Sequence, residues 1–302
     1  MNPVQYQGRD VPPIEGKVLF DEPMATYTSF LVGGPADMLA IPESEDDLCA
    51  LMEWAHIGGI AVMVLGGGYN LLVSNKGIRG LVIKLGSGFD RIAIEGTTIR
   101  AGASAKLSVL VDKATDAGLL GLEGLTGVPG TVGGAVYMNA GTRFGYVEDT
   151  LQFVRAVDMS GARRQIEAKD LGLAYRASNI GEKGLVITEA VFRLCEGSSD
   201  EIRAMCAELL EKRKLQPCTV GTAGSTFKNP PGARAGELIE RVGGKGMRIG
   251  GAQVSTLHAN FFFNVEDATA SDIRELILKI KDMVRDRLGI ELQTEVQIVG
   301  EW

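Results

Sequence analysis

The chain has 302 residues, 45% of them hydrophobic, and a formal net charge of −7 at pH 7. Without an extended basic run it is a poor partner for nucleic acid, and without about 18 consecutive apolar residues it offers no membrane span. The four cysteines show no C-x-x-C spacing and the histidines are only His56 and His258, so neither a metal site nor a histidine-based triad is expected.

The N-terminus has no charged-then-apolar signal pattern, and a cytoplasmic protein is the expectation. The length allows two domains or one large one. Gly is used 40 times, in clusters and without a period, which argues for tight turns and ligand loops rather than low complexity.

Residues 1–23 carry four prolines and read as an extended arm. A turn at Gly33–Pro35 leads into a strand over Met38–Ile41. Ser44 and Asp47 resemble a capping box, followed by Leu48, Leu51, Met52 and Ala55 at helical spacing and a stop at Gly58-Gly59. Ala61–Leu65 is an apolar strand running into Gly66-Gly67-Gly68-Tyr69-Asn70-Leu71. A dinucleotide fingerprint wants G-x-G-x-x-G opening a helix. Here the glycines join strand to strand, so the fingerprint fails, although a backbone nest for a diphosphate needs no helix.

Strands near Arg91–Ile94 and Thr98–Ala101 precede a helix over Leu107–Ala117, with Leu107, Leu110, Val111 and Ala114 inward. Thr126–Gly141, TGVPGTVGGAVYMNAG, is glycine-rich yet apolar. It reads either as a backbone-lined cradle for a flat, large anion or as a tight strand–turn–strand crossing. Leu151–Met159 and Arg163–Ile166 form a hairpin, and Leu185–Leu194 is a further strand. Ser198 caps a helix to about Lys214 that turns Ile202, Met205, Cys206, Leu209 and Leu210 inward; the candidate domain boundary lies at its start. A helix over Ala235–Val242, a second one capped by Ser271 and closed by Gly289, and an alternating strand over Glu291–Val299 complete the chain.

Three polar residues stand in settings that a plain core does not require. Arg176, in Tyr175-Arg-Ala-Ser178, is either a solvated charge or a fork for a carboxylate or phosphate. Ser225, in Ala223-Gly-Ser-Thr-Phe-Lys-Asn-Pro230, is either a turn serine or a hydrogen-bonding proton donor. It is not the nucleophile elbow, because Phe227 stands where that motif needs glycine. Glu295 lies on the polar face of the terminal strand, where solvent exposure is the simpler reading.

Together these motifs resemble the flavin-dependent UDP-N-acetylenolpyruvoylglucosamine reductases of bacterial cell-wall synthesis. The resemblance is carried by Thr28-Ser-Phe-x-x-Gly-Gly-Pro-Ala-Asp37, Gly66-Gly-Gly-x-Asn-Leu-Leu72 and Gly127-x-Pro-Gly-x-Val-Gly-Gly-Ala-x-x-Met-Asn-Ala-Gly141. It continues through Tyr175-Arg-x-Ser178, Ala223-Gly-Ser-x-Phe-Lys-Asn-Pro230, His258-Ala-Asn-Phe261 and Glu295, in order, from about residue 26 to the end.

The resemblance implies an α+β protein: an FAD-binding module of the vanillyl-alcohol-oxidase (PCMH) type and a C-terminal α+β substrate domain. On this chain that gives 1–197, with subdomains of about 1–75 and 76–197, followed by 198–302. FAD would be lined by Gly66, Gly67, Gly68, Tyr69, Asn70 and Leu71 from the first loop. The second would add Gly130, Thr131, Gly133, Gly134, Asn139 and Gly141. Some members of the wider fold attach FAD through a histidine near the first loop; this sequence has none there, so noncovalent FAD is expected.

The implied reaction passes hydride from NADPH through FAD to the enolpyruvyl ether of a UDP-sugar. Arg176 and Glu295 would stabilise the enediolate-like charge, and Ser225 would protonate the adjacent carbon. Glu295 would have to be protonated or hydrogen-bonded beside the carboxylate, since a bare anion would repel it. Tyr175, Lys228, Asn229 and Lys214 are the substrate candidates, and a monomer is expected. Tyr27, Leu31 and Tyr69 depart from the residues usual at those positions. The chain resembles the shorter subclass without a tyrosine-bearing substrate loop. The rival readings are another flavoenzyme of the same fold and a flavin- or nucleotide-sugar-binding protein without turnover.

Overall fold

The computed structural model describes residues 5–214, 217 and 220–302. They form two compact units that interleave along the chain. One takes the residues up to 20, 38–67 and 80–211; the other takes 21–37, 68–79 and the residues from 212 on.

The first unit is built on a five-stranded antiparallel sheet. Its spatial order is Arg163–Glu167, Leu151–Val157, Val186–Arg193, Thr98–Gly102, Ile92–Glu95. The turn before Arg163 is tied by Asp158, whose carboxylate accepts from Ser160 and Ala162 and pairs with Arg164; these bonds hold its pKa down at about 2. In a second, four-stranded sheet Val62–Val64 runs parallel beside Leu81–Ile83. From it the chain leaves directly into Gly66-Gly67, with no helix.

The Glu45–Gly58 helix starts where the Ser44 hydroxyl accepts the Asp47 N–H at 3.2 Å. The box is only half closed. The Asp47 carboxylate reaches instead to the N–H groups of Glu43 and Glu15 at 3.2 and 3.3 Å, tying the N-terminal arm to the helix. Leu48, Leu51, Met52 and Ala55 are fully buried, as are Leu110 on the Leu107–Asp116 helix and Ile99, Val154 and Ala190 on the sheet. All belong to one apolar core. Burying such a side chain stabilises the fold by about 1.5–3 kcal/mol.

The Ser199–Lys214 helix departs from expectation. Ile202, Cys206 and Leu209 are buried, but Met205 and Leu210 remain 43% and 44% exposed. Only a narrow i, i+4, i+7 stripe makes contact. Ile202 and Cys206 lie in the core of the first unit, which draws residues 199–211 into that unit. The structure therefore divides after 211 and not at 197, and it assigns 21–37 and 68–79 to the second unit.

The second unit packs the Ala270–Leu288 helix on a three-stranded antiparallel sheet, Arg248–Ile249, Ala252–Val254, Phe262–Asn264. Ile273, Leu276, Ile277, Ile280 and Val284 face Phe227 and Phe262, whose rings meet edge-on at 5.8 Å. Of the strand expected over Glu291–Val299, only Gln297–Val299 forms, parallel to Leu71–Val73. Leu292 and Val296 are buried nonetheless, and Thr294 makes an isolated bridge to Phe227.

The cap of the long helix is Thr269, not Ser271. Its hydroxyl accepts the Asp272 N–H at 3.1 Å while the Asp272 carboxylate accepts the Thr269 N–H at 2.8 Å, a complete capping box. Ser271 is the second residue of the helix, inside its first turn, and accepts a bond from Asn75. Thr269→Ala is expected to lower the unfolding free energy by about 1 kcal/mol, against less than about 0.5 kcal/mol for Ser271→Ala. Urea titration of the two variants measures the difference.

Candidate functional site

Within the first unit the two glycine loops lie side by side. A Cβ on Gly66 would stand 3.0 Å from the Thr131 hydroxyl and 3.8 Å from the Gly134 Cα. Thr126–Gly141 is neither a plain loop nor a strand crossing. It turns at Gly130, whose φ of +125° excludes a side chain, and then forms a short helix, Val132–Tyr137. The proline and the two glycines in its first turn hid that helix from propensity.

The helix spends its first amides inside the protein: Val132 on Ala105 O, Gly133 on Ala103 O, Gly134 on the Thr131 hydroxyl. Gly133 is a packing position, because a Cβ there would meet Ala103 at 3.0 Å; Gly134 faces only Thr131, at 3.4 Å. What this stretch offers a ligand is therefore Gly130, the Thr131 hydroxyl proton and the bare faces of Gly66 and Gly134. Those surfaces fit a group that must approach main chain closely, as a dinucleotide does. Lys106 pairs with Thr131, and beside it opens a cavity of about 440 Å³ lined by Lys84, Gly86, Ser104 and Val109.

Other members of the expected cofactor set act within the fold. Gly141 packs against Gly145 and Tyr146 with no room for a Cβ. Asn139 is fully buried, and its amide bonds Glu148 N–H and Ala174 O at 3.0 and 3.1 Å. Gly67 is exposed. In the second unit Gly68 has a φ of +71° and no room for a Cβ, which would collide with the Tyr27 carbonyl. Tyr69 is 47% exposed and Leu71 begins the strand paired with Gln297. The Asn70 amide donates to the Glu295 carbonyl at 2.9 Å. Tyr27 uses its hydroxyl on Glu22.

Arg176 sits at the tip of a two-residue turn in which Ala174 and Ala177 exchange both backbone bonds at 3.1 Å. Its φ is +54°, a strained setting for a residue with a side chain. The guanidinium donates to Gly141 O at 3.0 Å and lies 5.3 Å from the Tyr175 ring, which is itself exposed.

Ser225 and Glu295 are linked through main chain in the second unit. Ser225 bridges Phe261, and the carbonyl of the next residue, Thr226, accepts the Glu295 N–H at 2.8 Å. Both residues are half-buried. The clamp is Asn260, which motif reading quoted without a role. Its buried amide takes the Phe227 N–H at 3.0 Å and donates to the Phe227 carbonyl at 2.8 Å, while its own carbonyl accepts Thr226 N–H. Lys228 donates its N–H to Gln293 O, and the Asn229 side chain accepts Ala235 N–H. Lys214 ends the Ser199–Lys214 helix, and its side chain lies outside the described residues.

Among the described residues no group of three or more His, Cys, Asp and Glu is placed to hold a metal, and no helix is long and apolar enough to cross a membrane.

A family model described as the C-terminal domain of UDP-N-acetylenolpyruvoylglucosamine reductase matches residues 216–299, and an FAD binding domain matches 36–167. The reductase of that name from Caldanaerobacter subterraneus subsp. tengcongensis is 43% identical over 288 residues, 95% of each chain. That from Anaeromyxobacter sp. is 43% identical over 290 residues, 96% of this chain and 91% of its own. A crystal structure of UDP-N-acetylenolpyruvylglucosamine reductase from Thermus caldophilus aligns with a TM-score of 0.81 at 38% identity. It covers 94% of this chain and 99% of that one.

His258 supports the Asn260 clamp, its Nδ1 accepting Asn260 N–H at 3.2 Å against the Phe261 ring. Burial, aided by the charge of Lys245, pushes its pKa below the ordinary 6.5. The unfolded chain takes that proton first, so stability is expected to fall as pH drops from about 7 towards 5. His258→Gln flattens that slope, as denaturant titrations across the range would show.

Proposed function

Because the chain belongs to the UDP-N-acetylenolpyruvoylglucosamine reductase family, we propose that its chemistry is divided among Arg176, Ser225 and Glu295, with the glycine loops holding the cofactor. The protein is an FAD-dependent oxidoreductase that reduces UDP-N-acetylglucosamine enolpyruvate to UDP-N-acetylmuramate with NADPH, in peptidoglycan precursor synthesis. Its fold is an FAD module of the vanillyl-alcohol-oxidase type with a C-terminal α+β domain.

The observation that carries the residue assignment is the join between Ser225 and Glu295. Both are set by the backbone around Thr226, which Asn260 fixes from the other side. A proton donor and a polar partner for the carboxylate need this kind of fixed separation. When bound along the glycine loops, FAD would supply the hydride chemistry that links NADPH to the enolpyruvyl double bond.

The chain's own groups handle the charge and the proton. Arg176 and Glu295 hold the carboxylate into which negative charge spreads, worth several kcal/mol when preorganised. The Ser225 hydroxyl gives its proton to the carbon next to that carboxylate. Thr131 already accepts from Gly134 N–H, so its own O–H is left to donate towards FAD; Gly66, Gly67, Gly130 and Gly134 let the cofactor lie against main chain. Tyr175, Lys228 and Asn229 are proposed on the substrate, with Lys214 a further cation for it. We assign FAD binding mainly to the first unit and substrate binding mainly to the second, and the reaction to a cytoplasmic monomer.

Ser225→Ala should leave reduction of the flavin by NADPH intact and slow its reoxidation by the enolpyruvyl substrate by about 10²–10⁴-fold. Stopped-flow absorbance separates the two half-reactions, and equal losses in both would remove Ser225 from the role. Denaturing the yellow protein should release all of its flavin into the filtrate, because no histidine stands in the first loop.

A further inference from the structure

The stretch that lines the cofactor also grips the turn that carries Arg176. The contact runs along the end of the Val132–Tyr137 helix and the residues after it. Ser178 donates its hydroxyl to Tyr137 O at 2.6 Å, Asn139 donates its amide to Ala174 O at 3.1 Å, and Gly141 O accepts the Arg176 guanidinium at 3.0 Å. These bonds hold both shoulders of the Ala174–Ala177 turn and the arginine head.

Asn139 is the centre of the arrangement. It is fully buried, adopts a φ of +42°, and has both ends of its amide occupied, Oδ1 by Glu148 N–H and Nδ2 by Ala174 O. Asparagine tolerates the left-handed region better than other residues with side chains. The helix C-terminus can thus turn sharply there while the side chain points back across the turn. The strained φ of +54° at Arg176 needs such an external hold.

We propose that Asn139 is a positioning residue for Arg176: its buried amide fastens the arginine turn to the end of the cofactor-lining stretch, so that cofactor wall and guanidinium are placed as one piece. The proposal rests on the reading of Arg176 as the group that holds the substrate carboxylate. Asn139 acts through Arg176 and not by touching FAD.

Asn139→Asp tests it, because a carboxylate still accepts Glu148 N–H but has no proton for Ala174 O. In the purified holoenzyme, FAD affinity by fluorescence titration and flavin reduction by NADPH should stay within about twofold of the parent, while reoxidation by substrate slows about 10- to 100-fold. Hydrogen exchange at the Ala177 amide, which closes the turn, should accelerate. In an Arg176→Ala background the same change should add nothing to the loss, since both act through one group. Ser178→Ala, which removes only the bond to Tyr137 O, should show a weaker version of the same pattern and decides the matter if Asn139→Asp does not fold.

Lost FAD affinity with normal reoxidation per bound flavin would overturn the proposal in favour of direct cofactor contact. Equal slowing of both half-reactions, or unchanged exchange at Ala177, would overturn it in favour of general packing. If Arg176→Ala slows reoxidation but Asn139→Asp does not, the proposal alone fails. If Arg176→Ala reoxidises normally, the reading beneath it fails as well.

Discussion

A loop cannot present a reactive side chain until its own buried N–H and C=O groups have partners, and here asparagine amides supply them. An amide offers a donor and an acceptor a short distance apart, which matches what an interrupted backbone leaves open. Asn260 closes both groups of Phe227, and Asn139 joins Glu148 to Ala174. Asn264 accepts from Ala268 and donates to Phe30, and Asn75 accepts from Ala270 while donating to Ser271. Ser225, Glu295 and Arg176 all sit on irregular backbone secured in this way. Leaving one such buried group unpaired costs about 1–3 kcal/mol, so the amides decide whether these loops have one conformation.

Sequence periodicity found what apolar burial controls. Leu48, Leu51, Met52 and Ala55 on one helix, and Leu107, Leu110, Val111 and Ala114 on another, are buried as their spacing requires. It misread elements settled by hydrogen-bond competition. Thr269 and Ser271 are both capping residues by type, and only the position of Asp272, three residues after Thr269, separates them. The alternation over 291–299 is real in burial, since Leu292 and Val296 are inside, but the main chain of 294–296 is engaged by Thr226 and Phe227, and only 297–299 pairs with a neighbouring strand. Met205 and Leu210 misled because an apolar side chain on a helix need not face the core.

The candidate residues stand out by residue type and order, and not by spacing. Arg176 lies in one unit while Ser225 and Glu295 lie in the other, and the units exchange segments at 21–37 and 68–79. No single cut in the sequence, at the start of the Ser199–Lys214 helix or elsewhere, describes such an arrangement. The supporting residues were harder still to see. The motif resemblance places Asn139 with the cofactor, and Asn260 stands in the His258–Phe261 motif with no role attached to it. Their roles depend on contacts to residues 35 and 33 positions away in sequence.

The same division explains which departures from a family pattern this protein can carry. Where recognition is by main chain, the side chain at a neighbouring position is constrained only by space. Tyr69 stands between Gly68 and Asn70 with nearly half its surface exposed, so its bulk is directed away from the packed backbone beneath. The Gly68 position itself has no such freedom, because the Tyr27 carbonyl occupies the place of a Cβ whatever residue 27 is. Tyr27 enters that contact through its backbone, while its ring and hydroxyl turn to Glu22. The proposed chemistry is less forgiving: in it the proton of Ser225 and the fork of Arg176 have no main-chain substitute. Variation beside the glycine loops is therefore limited by space alone, whereas the roles proposed for Ser225, Arg176 and Glu295, and the amides that hold their backbone, depend on those side chains themselves.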